Sequence, residues 1–273
     1  MTAICPFIRL LETAYWGYLT DLYSYRMDSS EIGFTKDLIY RIADYYNDWP
    51  EDEIEVFAMP GELENYRGAD IDLFIQDDIT FEFRSYKIQA KLLKHTGVYR
   101  SLFYRNGTVQ ADNLITYATK NDAQALYLFY NGKYNANCPT DEPYFGMSII
   151  DAETVRQQFI DKVVNQSPRF DQLFNFMHPF HVLFCDLPST EIINHNKSSL
   201  QLPKPSTKRE DIFTKFPYKR ITKQSDDVNE SNQKDEQFDI SSAKKVIKEN
   251  GLAATRIIVR SDLRTNRLKY LLP

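Results

Sequence analysis

A chain of 273 residues, 42% of them hydrophobic, is long enough to bury a sizeable core as one large α/β domain, or as one domain with an appendage. No stretch approaches the roughly 20 consecutive apolar residues that span a bilayer, and the N-terminal stretch, with Glu12 and polar breaks, does not read as a signal peptide. A net charge of −5 argues against a strongly basic protein that coats nucleic acid.

Cys5, Cys138 and Cys185 are odd in number and far apart in the chain, which argues against a disulfide framework or a zinc knuckle. Cysteine usage of this kind fits a reducing cytoplasm, the expected location. The average charge hides an asymmetry. Carboxylates crowd Asp48 to Glu64, and bases crowd Lys204 to Lys223 and Arg256 to Lys269. Such a chain suits a polyanion held over a metal centre, and equally an ordinary solvated surface.

The first predicted element is a helix over 7–26, with Ile8, Leu11, Tyr15, Leu19 and Leu22 on one side. Asp28, Ser29 and Ser30 break it. A second helix is expected from Thr35, as its N-cap, to Tyr46. The period then changes to that of strands: Ile54–Ala58, Gly68–Ile75 and Thr80–Leu92, the last two joined by a turn at Gln76–Asp78. A helix over 109–120 and a continuous apolar strand at Ala125–Tyr130 follow. Beyond these, a strand is expected at 144–150, a helix capped by Asp151, a helix near 170–177 and a buried strand through Val182–Phe184. From Pro188 to Asp239 the pattern collapses into Ser, Asn, Lys, Asp and Pro, as in a linker or disordered insert. The expected organisation is an α/β domain at 1–187, a polar segment at 188–239, and a C-terminal extension at 240–273 with a short helix and a strand near 256–259.

Two segments carry chemistry. In GADIDLFI (68–75), alternation places Asp70 and Asp72 on one side of a strand; in KIQAK (87–91) it places Gln89 and Lys91 on one side. If the strands pair through the 76–78 turn, these polar pairs meet at one end of the sheet. Phosphodiester hydrolysis needs such a set. Carboxylate, amide and carbonyl oxygens suit Mg²⁺, and a lysine beside the ion offsets charge that builds on phosphorus. On this reading Asp70 is the principal metal ligand, and Gln89, Asp72 and the Ala90 carbonyl are further ligands. Lys91 is the catalytic ammonium. Alternating charges on an exposed sheet face would look the same.

These residues resemble the PD-(D/E)xK superfamily of restriction-endonuclease-like nucleases, in its variant with Gln before the alanine and lysine. GADIDLFI resembles its metal-binding strand and IQAK its lysine strand. QADNLITYA and ALYLFYN resemble the helix and strand that follow, and more narrowly the run looks like an uncharacterised bacterial family of that superfamily. The resemblance covers about residues 31–131, with weaker continuity through HPFHVLFC (178–185). It implies a mixed central sheet flanked by helices and a cytoplasmic, Mg²⁺-dependent deoxyribonuclease, an endonuclease in type, with Mn²⁺ able to substitute. DNA is the implied partner, a homodimer or partner protein is possible, no membrane is involved, and antiphage defence is the implied role. Asp70, Gln89 and Lys91 match the catalytic positions. Glu31 is the candidate for the superfamily's helical glutamate, with Glu64 as a rival. Gln in place of an acidic residue removes a charge, so a catalytically inactive nucleic-acid- or partner-binding module is the alternative.

Tyr99, Arg100, Arg105 and His95 follow the lysine strand and are candidates to stack on bases and hold phosphates. His178 and His181, four residues before Cys185, lack the glutamate of a helical zinc motif and read as structural. There is no Ser-His-Asp motif, Gly-rich phosphate loop or dinucleotide fingerprint.

Overall fold

The structure, a computed structural model, describes residues 4–48, 54–58, 69–77, 80–100, 102, 104–105, 108–160, 167–185, 191–193, 199–208, 212, 219–220 and 253–259. The chain opens with helices α1 (Ile4–Ser24) and α2 (Glu31–Asp48). The apolar side of α1 is the one that its spacing predicts: Ile8, Leu11, Tyr15 and Leu19 are buried and Leu22 packs on the same core. Helix α2 starts four residues before the expected Thr35. Ser30, not Thr35, supplies the cap: its hydroxyl accepts from Gly33 N–H at 3.4 Å and its carbonyl from Phe34 N–H. The Thr35 hydroxyl instead donates back to the Glu31 carbonyl.

Strands β1 (Ile54–Ala58), β2 (Ala69–Gln76) and β3 (Phe83–Leu92) come next. A small hairpin, β4 (Tyr104–Arg105) with β5 (Thr108–Val109), leads into α3 (Gln110–Lys120), β6 (Gln124–Tyr130) and β7 (Met147–Asp151). Asp151 caps α4 (Ala152–Val155) as expected, accepting from the N–H groups of Glu153 and Thr154. Then follow α5 (Phe170–Phe174), β8 (His178–Pro179), α6 (Val182–Cys185), β9 (Glu191–Ile193), β10 (Ser199–Gln201), β11 (Lys219–Arg220) and β12 (Ala253–Val259). The main sheet is mixed, in the order β11-β1-β12-β2-β3-β6-β7-β8, so the expected α/β class is what the chain adopts.

Every residue of β2 and β3 is buried, and so is all of β6 beyond its first residue. Strands covered on both faces read as near-continuous apolar runs, as β6 does. The exposed sheet face that would explain alternating charges in β2 and β3 is therefore absent. The β2–β3 turn is held locally: Asp77 Oδ1 accepts from Thr80 N–H at 3.0 Å, and Phe81 turns the chain at a φ of 59°.

Four expectations are corrected. Val182–Phe184 lies in a short helix, not a strand, because Leu183 and Phe184 N–H bond back to Phe180 and His181 carbonyls. The segment 188–239 is not structureless: β9 pairs β10, β11 pairs β1, and Thr207 bridges Phe83. The C-terminal strand is no appendage, since β12 sits inside the sheet, parallel to β2 and antiparallel to β1. The helix expected after Ser241 lies outside the described residues. Lastly, Cys5 of α1 and Cys185 of α6 form a disulfide, with Cα atoms 5.2 Å apart despite 180 residues of separation. Sequence distance concealed that α1 and α6 are neighbours in space.

A partly buried polar contact lies beside the disulfide, between α1 and His181, the residue just before α6. Glu12 Oε1 accepts from His181 N–H at 2.7 Å, and Oε2 lies 2.6 Å from His181 Nδ1. Burial pushes the Glu12 carboxyl up to about 7, with His181 opposing the shift. Close approach of α1 to the 143–146 turn also requires Gly146, since a Cβ there would run into the Glu12 carbonyl.

Two outcomes are expected. Cys5→Ser should lower stability by about 2–4 kcal/mol without reductant, and dithiothreitol should bring the wild type down to the variant; chemical denaturation with and without reductant checks this. For Glu12, the folded-state value near 7 lies above the ordinary 4.5, so native-state charging is penalised. That penalty is absent below about pH 4.5, grows as pH rises, and is complete above about 7. The melting temperature of Glu12→Gln relative to wild type should therefore rise between pH 5 and pH 8.

Candidate active site on strands two and three

Asp70 is the second residue of β2 and is buried. The antiparallel register pairs Ile71 with Ile88, which brings Asp70 to the end of β3 that carries Gln89 and Lys91. Asp70 Oδ2 accepts from Ala90 N–H at 2.8 Å and from the Gln89 side-chain amide. Glu31 reaches the same place from the first turn of α2. Its Oε1 lies 3.8 Å from Lys91 Nζ. Four residues predicted from sequence, Glu31, Asp70, Gln89 and Lys91, are thus brought together from three elements.

The electrostatics follow from burial. Lys91 is 5% exposed and Glu31 33% exposed by side chain, so Glu31 marks the open side. Burial raises the Glu31 carboxyl above its usual range, Lys91 opposes the shift, and the charge of Asp70 adds to it. The donor set is two carboxylates and one amide, all hard oxygen ligands of the kind that Mg²⁺ takes. No group of three or more His, Cys, Asp or Glu able to hold a metal occurs among the described residues. Gln89 presents its NH₂ to Asp70, so its other amide atom, the oxygen, is the one available to a ligand. The contact that Ala90 makes with the site is through N–H, as a donor to Asp70, and not through the expected carbonyl.

Asp72 is not a metal ligand. It is fully buried and saturated by neighbours: Lys87 Nζ at 3.0 Å, Arg256 at 3.1 Å, and the Tyr117 hydroxyl at 3.0 and 3.2 Å. Lys87 also lies over the rings of Phe74 and Tyr117, and Arg256 over Phe74. Burial pulls Lys87 below its usual range, Asp72 holds it up, and Arg256 pushes it down again. Sequence reading missed this cluster. Lys87 had a signal, since it shares a strand side with Gln89 and Lys91 and pairs with Asp72 in register. Arg256 had none, because its strand enters from the far end of the chain.

The nucleic-acid candidates fare differently. Tyr99 is fully buried and its hydroxyl bonds Asn131 Oδ1, so it cannot stack on a base. His95 is tied to Asp28, whose Oδ1 accepts from its N–H at 2.8 Å and lies 3.0 Å from Nδ1. It joins the α1–α2 connection to the loop after β3, as Lys94 does through its bond to the Ser29 carbonyl. Arg100 is exposed; the side chain of Arg105 and all of Glu64 lie outside the described residues. His181 faces Glu12 and Cys185 is bonded to Cys5, so the histidine pair forms no zinc centre.

Removing Asp72 would leave two cations buried beside each other. Asp72→Ala should cost about 3–5 kcal/mol, whereas Asp70→Asn, which keeps an acceptor for Ala90 N–H, should cost much less. Urea denaturation of both variants checks this.

No curated protein matches the chain, and no solved structure matches it. A family model matches residues 4–265, almost the whole length, and the chain belongs to that family, a family of unknown function designated DUF6615.

Proposed function

We propose that this protein is a Mg²⁺-dependent deoxyribonuclease acting through Glu31, Asp70, Gln89 and Lys91. The observation that carries the reading is the convergence of α2, β2 and β3 on one partly open point, with two carboxylates, an amide and an ammonium. Glu31 and Asp70 would hold the ion, with the Gln89 amide oxygen completing the protein's share. A divalent ion there supplies Lewis acidity and a water of lowered pKa. Ala90 N–H fixes the Asp70 carboxylate, and burial of β3 fixes Lys91, so neither needs to reorganise when substrate arrives. Lys91 then balances negative charge on the phosphoryl oxygens. Glu31, on the open side, is the member that meets solvent and substrate first. Among the described residues no helix is long and apolar enough to cross a membrane. The reading carries a role in defence against foreign DNA; the cytoplasmic location expected from cysteine usage loses that ground, because Cys5 and Cys185 are bonded to each other.

One observation favours a second reading, a binding module that has lost catalysis. Gln89 is neutral and hydrogen-bonded to Asp70, which lowers the charge available to a cation.

Plasmid and linear DNA incubated with Mg²⁺, Mn²⁺ or EDTA separate the two. The nuclease reading expects metal-dependent cutting that falls at least about 100-fold in Asp70→Ala and in Lys91→Ala. No cutting under any metal, with both variants folded, would replace it by the binding-only reading.

A further inference from the structure

A second site lies on the side of α2 that faces α1. Between the two helices is a groove of about 450 Å³ lined by Ala14, Tyr15, Tyr18, Gly33, Phe34, Asp37 and Arg41, among others. That volume lies within the range of small-molecule pockets. The small residues Ala14 and Gly33 leave space, and aromatic rings bound it: Tyr18 and Phe34 have centroids 5.8 Å apart, and Tyr15 packs edge-on to Phe34. Tyr18 is itself 55% exposed. Against these rings stand Asp37 and Arg41, with Ser29 also on the lining. The Asp37 carboxylate accepts through Oδ2 from the Tyr15 hydroxyl at 2.8 Å and from Arg41 Nε at 2.7 Å. Asp37 and Arg41 remain 41% and 51% exposed by side chain. The pair therefore presents a carboxylate oxygen and guanidinium N–H groups, an acceptor beside donors, next to aromatic faces.

We propose that this groove binds a nucleobase, as a free nucleoside. A flat heterocycle stacks on an exposed tyrosine ring, and its donor–acceptor edge pairs with Asp37 and Arg41. Two other occupants fit less well. A purely apolar helix would bury the Asp37–Arg41 pair without replacing its water contacts. A nucleic-acid strand needs an excess of positive charge along its backbone, and residues 4–48 carry seven acidic side chains against four basic ones. In the free nucleoside the ring is recognised without a phosphate backbone. The inference does not depend on the nuclease reading: none of these residues belongs to the Glu31–Asp70–Gln89–Lys91 group.

The test is titration of the full chain, without metal, by guanosine, adenosine, cytidine and uridine separately. Protein-observed NMR or calorimetry reads the binding, and indole and a short single-stranded oligonucleotide serve as comparison ligands. The expected result is saturable binding of at least one nucleoside. Arg41→Ala and Tyr18→Ala should each weaken it at least about tenfold, while Lys91→Ala leaves it unchanged. Both groove substitutions are at exposed side chains, and circular dichroism verifies that the variants fold. Three results would each overturn the proposal: no nucleoside binds saturably, whether or not the oligonucleotide does; binding survives both groove substitutions; or indole binds as tightly as the nucleosides.

Discussion

Strands β2 and β3 carry Asp70, Asp72, Arg84, Lys87, Gln89 and Lys91 as buried residues, and a charge in such a place must be compensated within a few ångströms. Most of the local structure follows from that requirement. Asp77 answers Arg84 across the turn at 3.2 Å. Asp72 answers both Lys87 and Arg256, and its tyrosine partner comes from α3. Asp70, two residues away on the same strand side, meets different chemistry: a backbone N–H, an amide, and a position beside Glu31 and Lys91. Two aspartates with identical patterning thus acquire opposite roles, one as the anchor of a charge cluster and one as a candidate ligand.

The anchor explains why the end of the chain belongs to the centre of the fold. Residues 253–259 slide between β1 and β2, and the register that pairs Arg256 with Asp72 delivers the second cation to the buried carboxylate. Without β12, β2 would be an unpaired edge carrying acidic residues. The pairing joins positions 184 residues apart, so it carries a larger loop-closure entropy than the β2–β3 turn. A similar long-range closure holds α1 in place. The Cys5–Cys185 bond, the Glu12–His181 contact and the close approach at Gly146 all act on the same helix.

Helix α2 links these supports to the candidate site. Its start is set by Ser30, and its first residue is Glu31. The preceding residues Asp28 and Ser29 are tied to His95 and Lys94, which follow Lys91 by four and three positions in the chain. The glutamate on α2 and the lysine on β3 are therefore registered against each other through short segments on both sides. Gly33, Phe34, Asp37 and Arg41 of the same helix line the groove against α1, so one helix serves two surfaces.

Much of this was legible in the residues. The 3.6-residue spacing of Ile8, Leu11, Tyr15 and Leu19 set the buried side of α1, and the change to alternation placed β1, β2 and β3 with ends correct to within about three residues. That Asp70 and Gln89 meet was legible because strand period is local and the turn between β2 and β3 is short. What only the tertiary structure decided are the partnerships between distant segments. Periodicity carries no information about which cation meets Asp72, that Cys5 lies beside Cys185, that Tyr99 turns inward to Asn131, or that the last strand enters the middle of the sheet. Those outcomes depend on how whole elements pack and on where buried charges find compensation, and neither quantity is written in any single stretch of the chain.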